Sequence, residues 1–234
     1  MGRILIGTSG YDYDEWKGSF YPAEVKKANR LQHYATRFGT VEINASFYRK
    51  PTKKQLDGWA ERVPNGFVFA FKAWQRITHH ARLRDCAPLV ESFNAELRAL
   101  GPKLGTVLYG LPPNLKKDIP LLREFLNGLP PGMKAAFEFR HESWLSEDTY
   151  SALHDRGAAL CIADTEDLST PFVKTANFGY LRLRRAEHSE QELRSWAEKI
   201  RSANFSEDVL VYFKHEDEAK GPAFAERLLS IMKS

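Results

Sequence analysis

In the segment Ala135-Ala136-Phe137-Glu138-Phe139-Arg140-His141, two charged residues stand two apart inside an apolar run. Side chains alternate faces along a strand, so Glu138 and Arg140 share one face and Phe137 and Phe139 the other. Two phenylalanines on one face call for a buried, helix-covered surface. The charges then point the opposite way, into a confined space, where a charge is costly unless it is paired or used. Few folds offer a strand a covered apolar face and a confined polar one.

The same pattern recurs. Val41 and Ile43 oppose Glu42 and Asn44; Phe67, Phe69 and Phe71 oppose Val68, Ala70 and Lys72. Leu181 and Leu183 oppose Tyr180, Arg182 and Arg184; Val209, Val211 and Phe213 oppose Leu210, Tyr212 and Lys214. Within these runs the charge falls late. Apolar outer faces with charge gathered at the C-terminal strand ends describe a closed parallel barrel with a site at its top.

Strand patterns alternate with helical ones. Helical spacing links Leu31, Tyr34, Ala35 and Phe38; Leu56, Trp59, Ala60 and Val63; Leu89, Val90, Phe93, Leu97 and Leu100; and Leu122, Phe125, Leu126 and Leu129. Ser146 opens a fifth helix as N-cap, Ser189-x-x-Glu192 is a capping box, and Phe224, Leu228, Leu229 and Met232 mark the last helix. A sixth strand, Ala158 to Ala163, ends at Asp164, and no helical pattern follows between Thr165 and Phe178. The expectation is an α/β fold of the TIM (β/α)8 type, one domain over residues 1–234, with a loop in place of the helix after strand six. A doubly wound open sheet is the alternative.

The chain has 234 residues and a net charge of +4, which permits a polyanionic partner without requiring one. No apolar run approaches a membrane span, and the start of the chain passes almost directly into Arg3-Ile4-Leu5-Ile6-Gly7 without a signal-type stretch. Cys86 and Cys161 are isolated and read as reduced thiols of a cytoplasmic protein. Nothing in the sequence indicates an oligomeric state.

Short motifs occur in fixed order along nearly the whole chain. They are Gly7-Thr8-Ser9-Gly10-Tyr11, Trp16-x-Gly18-x-Phe20-Tyr21-Pro22, Val41-Glu42-Ile43-Asn44-x-x-Phe47-Tyr48-Arg49-x-Pro51, Phe71-Lys72, Thr78-His79, Lys103-Leu104-Gly105, Leu111-Pro112-Pro113, Phe137-Glu138-Phe139-Arg140-His141-x-Ser143-Trp144 and Tyr212-Phe213. Together they resemble the YecE-like family, domain of unknown function 72. The resemblance implies a TIM barrel. It also suggests either sugar-isomerase-like chemistry or nucleic-acid binding of the kind seen in endonuclease IV-like barrels. The chain departs from the family pattern at Gly110, where glutamine is usual, at Leu183-Arg184-Arg185-Ala186 after strand seven, and at Lys214-His215-Glu216-Asp217 after strand eight. Specificity set by that wall of the barrel is thereby altered.

Glu138, Glu42 and Asp164 are the candidate acids and bases at strand ends. The bland alternative is a structural charge network with Lys72, Arg140 and Arg182. Lys72, Arg140, Arg182 and Lys214 outnumber the three acids, which points to an anionic ligand. Ser9, Asn44 and Tyr212 are placed to bond hydroxyls, and Tyr11, Tyr48 and Trp144 to stack a sugar or base. His79 and His141 complete the candidate ligand set. No cofactor is expected. A divalent metal held by Glu42, Glu138 and Asp164 with His79 or His141 is the competing option, although no ligand-spacing signature is present.

The reading favours an enzyme with isomerase- or hydrolase-like acid/base chemistry on a sugar phosphate or sugar acid. The first alternative is a nucleic-acid-binding barrel with phosphodiesterase activity, in which Arg49, Lys50, Lys53, Lys54, Arg76, Arg82 and Arg84 meet phosphates. The second is a non-catalytic ligand or partner binder.

Overall fold

A computed structural model describes residues 2–166, 168–214 and 219–233. Eight parallel strands form one sheet: β1 (Ile4–Thr8), β2 (Thr40–Ile43), β3 (Val68–Lys72), β4 (Leu104–Gly110), β5 (Lys134–Glu138), β6 (Ala159–Asp164), β7 (Gly179–Leu183) and β8 (Val209–Phe213). Neighbours follow chain order from β2 to β8, and β8 pairs with β1. Seven α-helices lie between and after them: α1 (Arg30–Tyr34), α2 (Lys53–Glu61), α3 (Ala87–Leu97), α4 (Ile119–Asn127), α5 (Glu147–Arg156), α6 (Glu190–Ser202) and α7 (Lys220–Lys233).

The barrel closes at the β1–β2 seam through few contacts. Ser9 bridges to Glu42, and the Gly10 amide donates to the Glu42 carbonyl at 2.8 Å. The Tyr34 hydroxyl accepts from the Thr8 amide at 2.8 Å and donates to the Thr40 carbonyl at 3.0 Å, so one side chain of α1 staples both strands. Gly7 permits the close approach: a Cβ there would lie 2.2 Å from the Thr40 oxygen.

The expected parity is observed. Phe67, Phe69 and Phe71 are buried; Phe69 and Phe71 lie 6.4 and 6.1 Å from Trp59 of α2 and Phe67 packs on Phe69 at 4.9 Å, all between ring centroids. Phe137 packs on Tyr109 and on Phe125 of α4. Inside the barrel, Val68, Ala70, Leu108, Ala136, Ala159, Cys161, Tyr180, Leu210 and Tyr212 form a separate core. Alternation of the strand sequence thus sorts two apolar layers, one within the barrel and one beneath the helices.

Between β6 and β7 no described residue is helical. The segment instead runs along the barrel, where the Thr175 hydroxyl accepts from the Leu160 amide and donates to the Ala158 carbonyl, both at 2.8 Å. Ala176 and Phe178 then fill the barrel floor. Pairing of β5 with β6 is correspondingly short, only Ala136 with Ala159 and Phe137 with Leu160. The capping box at Ser189 and Glu192 forms as expected. Ser146 occupies the N-cap position of α5 but caps no amide, because its hydroxyl contacts Thr149 and Lys117. Both cysteines are buried free thiols, and no described helix is long and apolar enough to cross a membrane.

Candidate functional site

The late charges of β2, β5 and β7 meet at the C-terminal end of the barrel. Arg182, 2% exposed, donates from Nη2 to Oε1 of Glu42 at 2.9 Å and from Nη1 to Oε2 of Glu138 at 2.8 Å. A guanidinium suits this role because its planar fork can serve two carboxylates at once. Glu42 is completed by hydroxyls, with Ser9 donating to Oε1 and Tyr180 to Oε2, each at 2.6 Å. Beneath it the Tyr212 hydroxyl meets Thr40 at 2.7 Å. Ser9, Glu42, Arg182, Tyr180 and Tyr212 are all buried. They form the floor of the site rather than a surface open to a ligand.

Glu138 sits at the junction of floor and mouth. Besides Arg182 it accepts from Arg140 and Arg184, each at 3.3 Å, and these two guanidiniums are 32% and 24% exposed. Burial opposes its ionisation, but Arg182, Arg140, Arg184 and Lys72 outweigh burial and hold the carboxyl well below the usual range. Glu138 is therefore a permanent carboxylate near neutral pH. Three guanidiniums around one carboxylate favour its ionised form.

Lys72, at the end of β3, differs from its neighbours. Its ammonium forms no ion pair or hydrogen bond with a described residue and lies 4.2 Å from the centroid of the Phe47 ring. Burial, together with Arg182 and Arg140, lowers its pKa from 10.5 to about 8, against the opposing pull of Glu138 and Glu42. Gly110 of β4 leaves the flank between them open: a Cβ there would stand 3.1 Å from Oε2 of Glu138 and 3.8 Å from Cε of Lys72. His79 lies across Phe47, with ring centroids 4.8 Å apart, and its Nδ1 meets the Thr78 hydroxyl at 2.9 Å. Burial, Lys72 and Arg140 lower its pKa, which favours the neutral imidazole. His79 belongs to a π-helical turn, Arg76–His80, followed by Arg82, Leu83 and Asp85 at positive φ. Such strained turns persist where the surroundings over-determine them, here through buried Leu83.

Other expected site residues stand elsewhere. Asp164 has the outward parity of Leu160 and Ile162. It pairs with Arg185 at 3.0 Å and accepts from Ser169 at 3.2 Å, away from the Glu42 and Glu138 cluster. Trp144 is 0% exposed, stacks on Phe139 at 4.8 Å and donates to the Leu115 carbonyl at 2.7 Å, which leaves no face for a ligand. His141 accepts from the Ser143 amide through Nδ1 and caps the turn after β5. Tyr11 is half-buried, and its carbonyl accepts from the Tyr21 hydroxyl. Asn44 is half-buried and begins a short 3-10 turn, whereas Tyr48 is 71% exposed at the rim. Lys214 follows β8 directly, and the motif residues 215–217 after it lie outside the described residues. Among the described residues no three His, Cys, Asp or Glu side chains gather as a metal ion requires, and outward-facing Asp164 is the physical reason the expected set does not assemble.

Tyr180 and Gly110 adjoin the cluster without having been chosen from the sequence, whereas Arg184, expected as an addition to the rim, pairs with Glu138. Tyr180 and Arg184 share the inner parity of Arg182, which was signal enough. A cleft of about 590 Å³ lies at the opposite end of the barrel, lined among others by Lys134, Arg156, Lys174, Phe178 and Glu207. Its volume does not mark it as the site, because its cations are bound to carbonyls or to Glu207.

Known proteins agree with this architecture. A 33% identical match over 141 residues joins the chain to the UPF0759 protein YecE of Escherichia coli strain K12, covering 58% of this chain and 52% of that protein. The UPF0759 protein YunF of Bacillus subtilis is 30% identical over 185 residues, covering 74% and 64%. The match thus spans about half to two thirds of these relatives. A DUF72 family protein from Thermotoga maritima superposes with a TM-score of 0.88 at 24% identity, covering 99% of this chain and all of the other. One from Enterococcus faecalis reaches 0.79 at 16% identity, covering 100% and 99%. Residues 5–234 match the family described as "Protein of unknown function DUF72", and with its nearly closed eight-stranded barrel the chain belongs to that family.

Proposed function

We propose that the C-terminal mouth binds a small anionic, polyhydroxylated molecule, a sugar phosphate or sugar acid, and that the protein is an enzyme using acid/base chemistry of an isomerase or hydrolase type. The observation that carries this reading is the imbalance of charge. Lys72, Arg140, Arg182 and Arg184 surround two carboxylates, Glu42 and Glu138. Arg182 is consumed by both acids, so among the described residues the charge left for a ligand falls on Lys72, which no carboxylate pairs with, and on the more exposed Arg140. An anion entering from solvent is attracted to these two. In this arrangement Glu138 orients the guanidiniums, while Lys72, its pKa lowered to about 8, and His79, held toward its neutral form, move protons. The activity needs no cofactor in this reading, and the buried thiols suit a reducing cytoplasm.

Thermal unfolding with sugar phosphates, sugar acids, nucleotides and short nucleic acids tests the reading, each with and without divalent metals. A ligand at 100 times its dissociation constant adds about 2.7 kcal/mol of stability. A shift with a sugar phosphate that disappears in Arg140→Ala supports it. Stabilisation by oligonucleotides alone, fading with salt, would replace it with the nucleic-acid reading. One observation favours that second reading: Tyr48 is the exposed large aromatic of the rim and stands next to Arg49. Against it, Lys50, Lys53 and Arg84 are already paired with Glu96, Asp57 and Asp118. A folded protein that binds the sugar phosphate but turns over none of the panel would fit the non-catalytic binder instead.

A further inference from the structure

Among the described residues, Lys72 is a cation at the mouth that forms no ion pair with a carboxylate. Glu42 is taken by Arg182, Ser9 and Tyr180, and Glu138 by Arg182, Arg140 and Arg184. A lysine placed among guanidiniums, over an aromatic face and without a carboxylate, is held in conditions that favour its neutral amine. The amine is the nucleophilic form of lysine. Gly110 keeps the neighbouring flank free of side chain, where Cβ would approach both Lys72 and Glu138. Strand β3 holds the side chain by its backbone: the Lys72 carbonyl accepts from the Ser46 hydroxyl at 2.7 Å, and the adjacent Ala73 amide donates to the Leu108 carbonyl at 2.8 Å.

Building on the anion-binding reading above, we infer that Nζ of Lys72 condenses with the carbonyl carbon of an aldehyde- or ketone-bearing phosphate to form an imine. The ammonium first releases its proton to solvent. The amine nitrogen then attacks the carbonyl carbon, a C–N bond forms, and the carbonyl oxygen becomes the hydroxyl of a carbinolamine. That oxygen leaves as water, carrying the two amine hydrogens, and a C=N bond remains. No oxidant or metal enters the balance. Protonation of the imine nitrogen places a positive charge where Glu138 is the facing carboxylate, and Arg140 and Arg184 stand at the rim for the phosphate. The groups facing Lys72 are Arg182 of β7, Glu138 of β5, Arg140 just after β5, Glu42 of β2 and His79 of the turn after β3. The substrate class is accordingly an open-chain carbonyl sugar phosphate, and the imine is the electron sink for proton abstraction beside the former carbonyl.

The test uses the full chain, dihydroxyacetone phosphate and sodium borohydride, read by intact mass and peptide mapping. Hydride delivered to the imine carbon gives a stable secondary amine. The expected result is one adduct per chain on the Lys72 peptide, enriched more than about tenfold over exposed lysines, because each unit of lowered pKa raises the neutral fraction about tenfold. Lys72→Arg should abolish the adduct while its circular dichroism shows the fold retained, and in the wild type glycerol phosphate, a ligand that has no carbonyl, should raise the melting temperature without any adduct. Diffuse labelling, or an adduct unchanged in Lys72→Arg, overturns the imine. Glycerol phosphate stabilising the wild type but not Arg140→Ala, with no adduct at Lys72, overturns the imine and leaves the anion site standing. Absence of stabilisation by either phosphate, with no adduct, overturns both.

Discussion

The two ends of this barrel are hollow in different ways. At the N-terminal end a cleft of about 590 Å³ opens beside the segment between β6 and β7, in which no described residue is helical. Its charged residues are satisfied: Lys134 pairs with Glu207 at 2.6 Å, Lys174 donates to the Ala203 and Asn204 carbonyls, and Arg156 donates to those of Leu126, Leu129 and Pro130. At the C-terminal end the described residues of the same strands present a buried carboxylate pair bridged by one arginine, with Lys72 beside it in no ion pair. The lesson is that space alone does not make a site. A group held away from its natural partner, as Lys72 is, has interaction free energy left to give to a ligand. The ends differ although strand parity is continuous between them, because small and apolar residues fill the lower positions and charged ones the upper.

The most severe way to break the contrast is Arg182→Leu. It leaves two buried carboxylates without their shared cation and should cost about 3–5 kcal/mol of stability, read by denaturant unfolding. A loss below about 1 kcal/mol, the range of exposed pairs, would mean that the floor is not held by charge. Next, Arg140→Ala should weaken sugar phosphate binding about tenfold or more, since a hydrogen bond to a charged group contributes about 1.5–3 kcal/mol. Its own melting temperature should move little, as Glu138 keeps Arg182 and Arg184. Titration calorimetry checks the affinity, and undiminished binding would shift the anion site away from the mouth.

The pH response sharpens the comparison further. The folded pKa of Lys72, about 8, lies below its ordinary 10.5. Between these values the unfolded chain binds more protons than the folded one, so this group makes stability rise with pH across that window. Below pH 8 the buried cation is a constant cost. Lys72→Met should therefore flatten the wild-type rise in melting temperature between pH 8 and 10, and equal slopes for the two proteins would contradict a strained lysine. The smallest effect is expected at the other end. Lys134→Ala breaks a pair whose side chains are 40% and 43% exposed, and should change stability by less than about 1 kcal/mol with ligand shifts intact.

Much of the fold was legible. Parity placed Glu42, Lys72, Glu138 and Arg182 on one inner face, and the lack of helical spacing after Asp164 identified the missing helix. The capping box of Ser189 and Glu192 was equally plain, because it depends on four consecutive residues. Asp164 and Trp144 were not legible. Asp164 closes β6 on the face of Leu160 and Ile162 rather than that of Cys161, and a difference of one residue reverses the face. Trp144 reads as a loop aromatic, yet Phe139 and the Leu115 carbonyl enclose it from separate elements.

What this chain determines by sequence alone is periodicity: which residues share a face, where charge accumulates, and how many strand–helix units there are. These follow from local backbone geometry, which has fixed repeats. Only the tertiary structure decided that Arg182 would take both Glu42 and Glu138, that Tyr180 would complete Glu42, and that Lys72 would be left over Phe47 without a carboxylate. Those outcomes depend on the stagger between strands distant in the chain, from Glu42 in β2 to Arg182 in β7, which parity within a single strand does not specify.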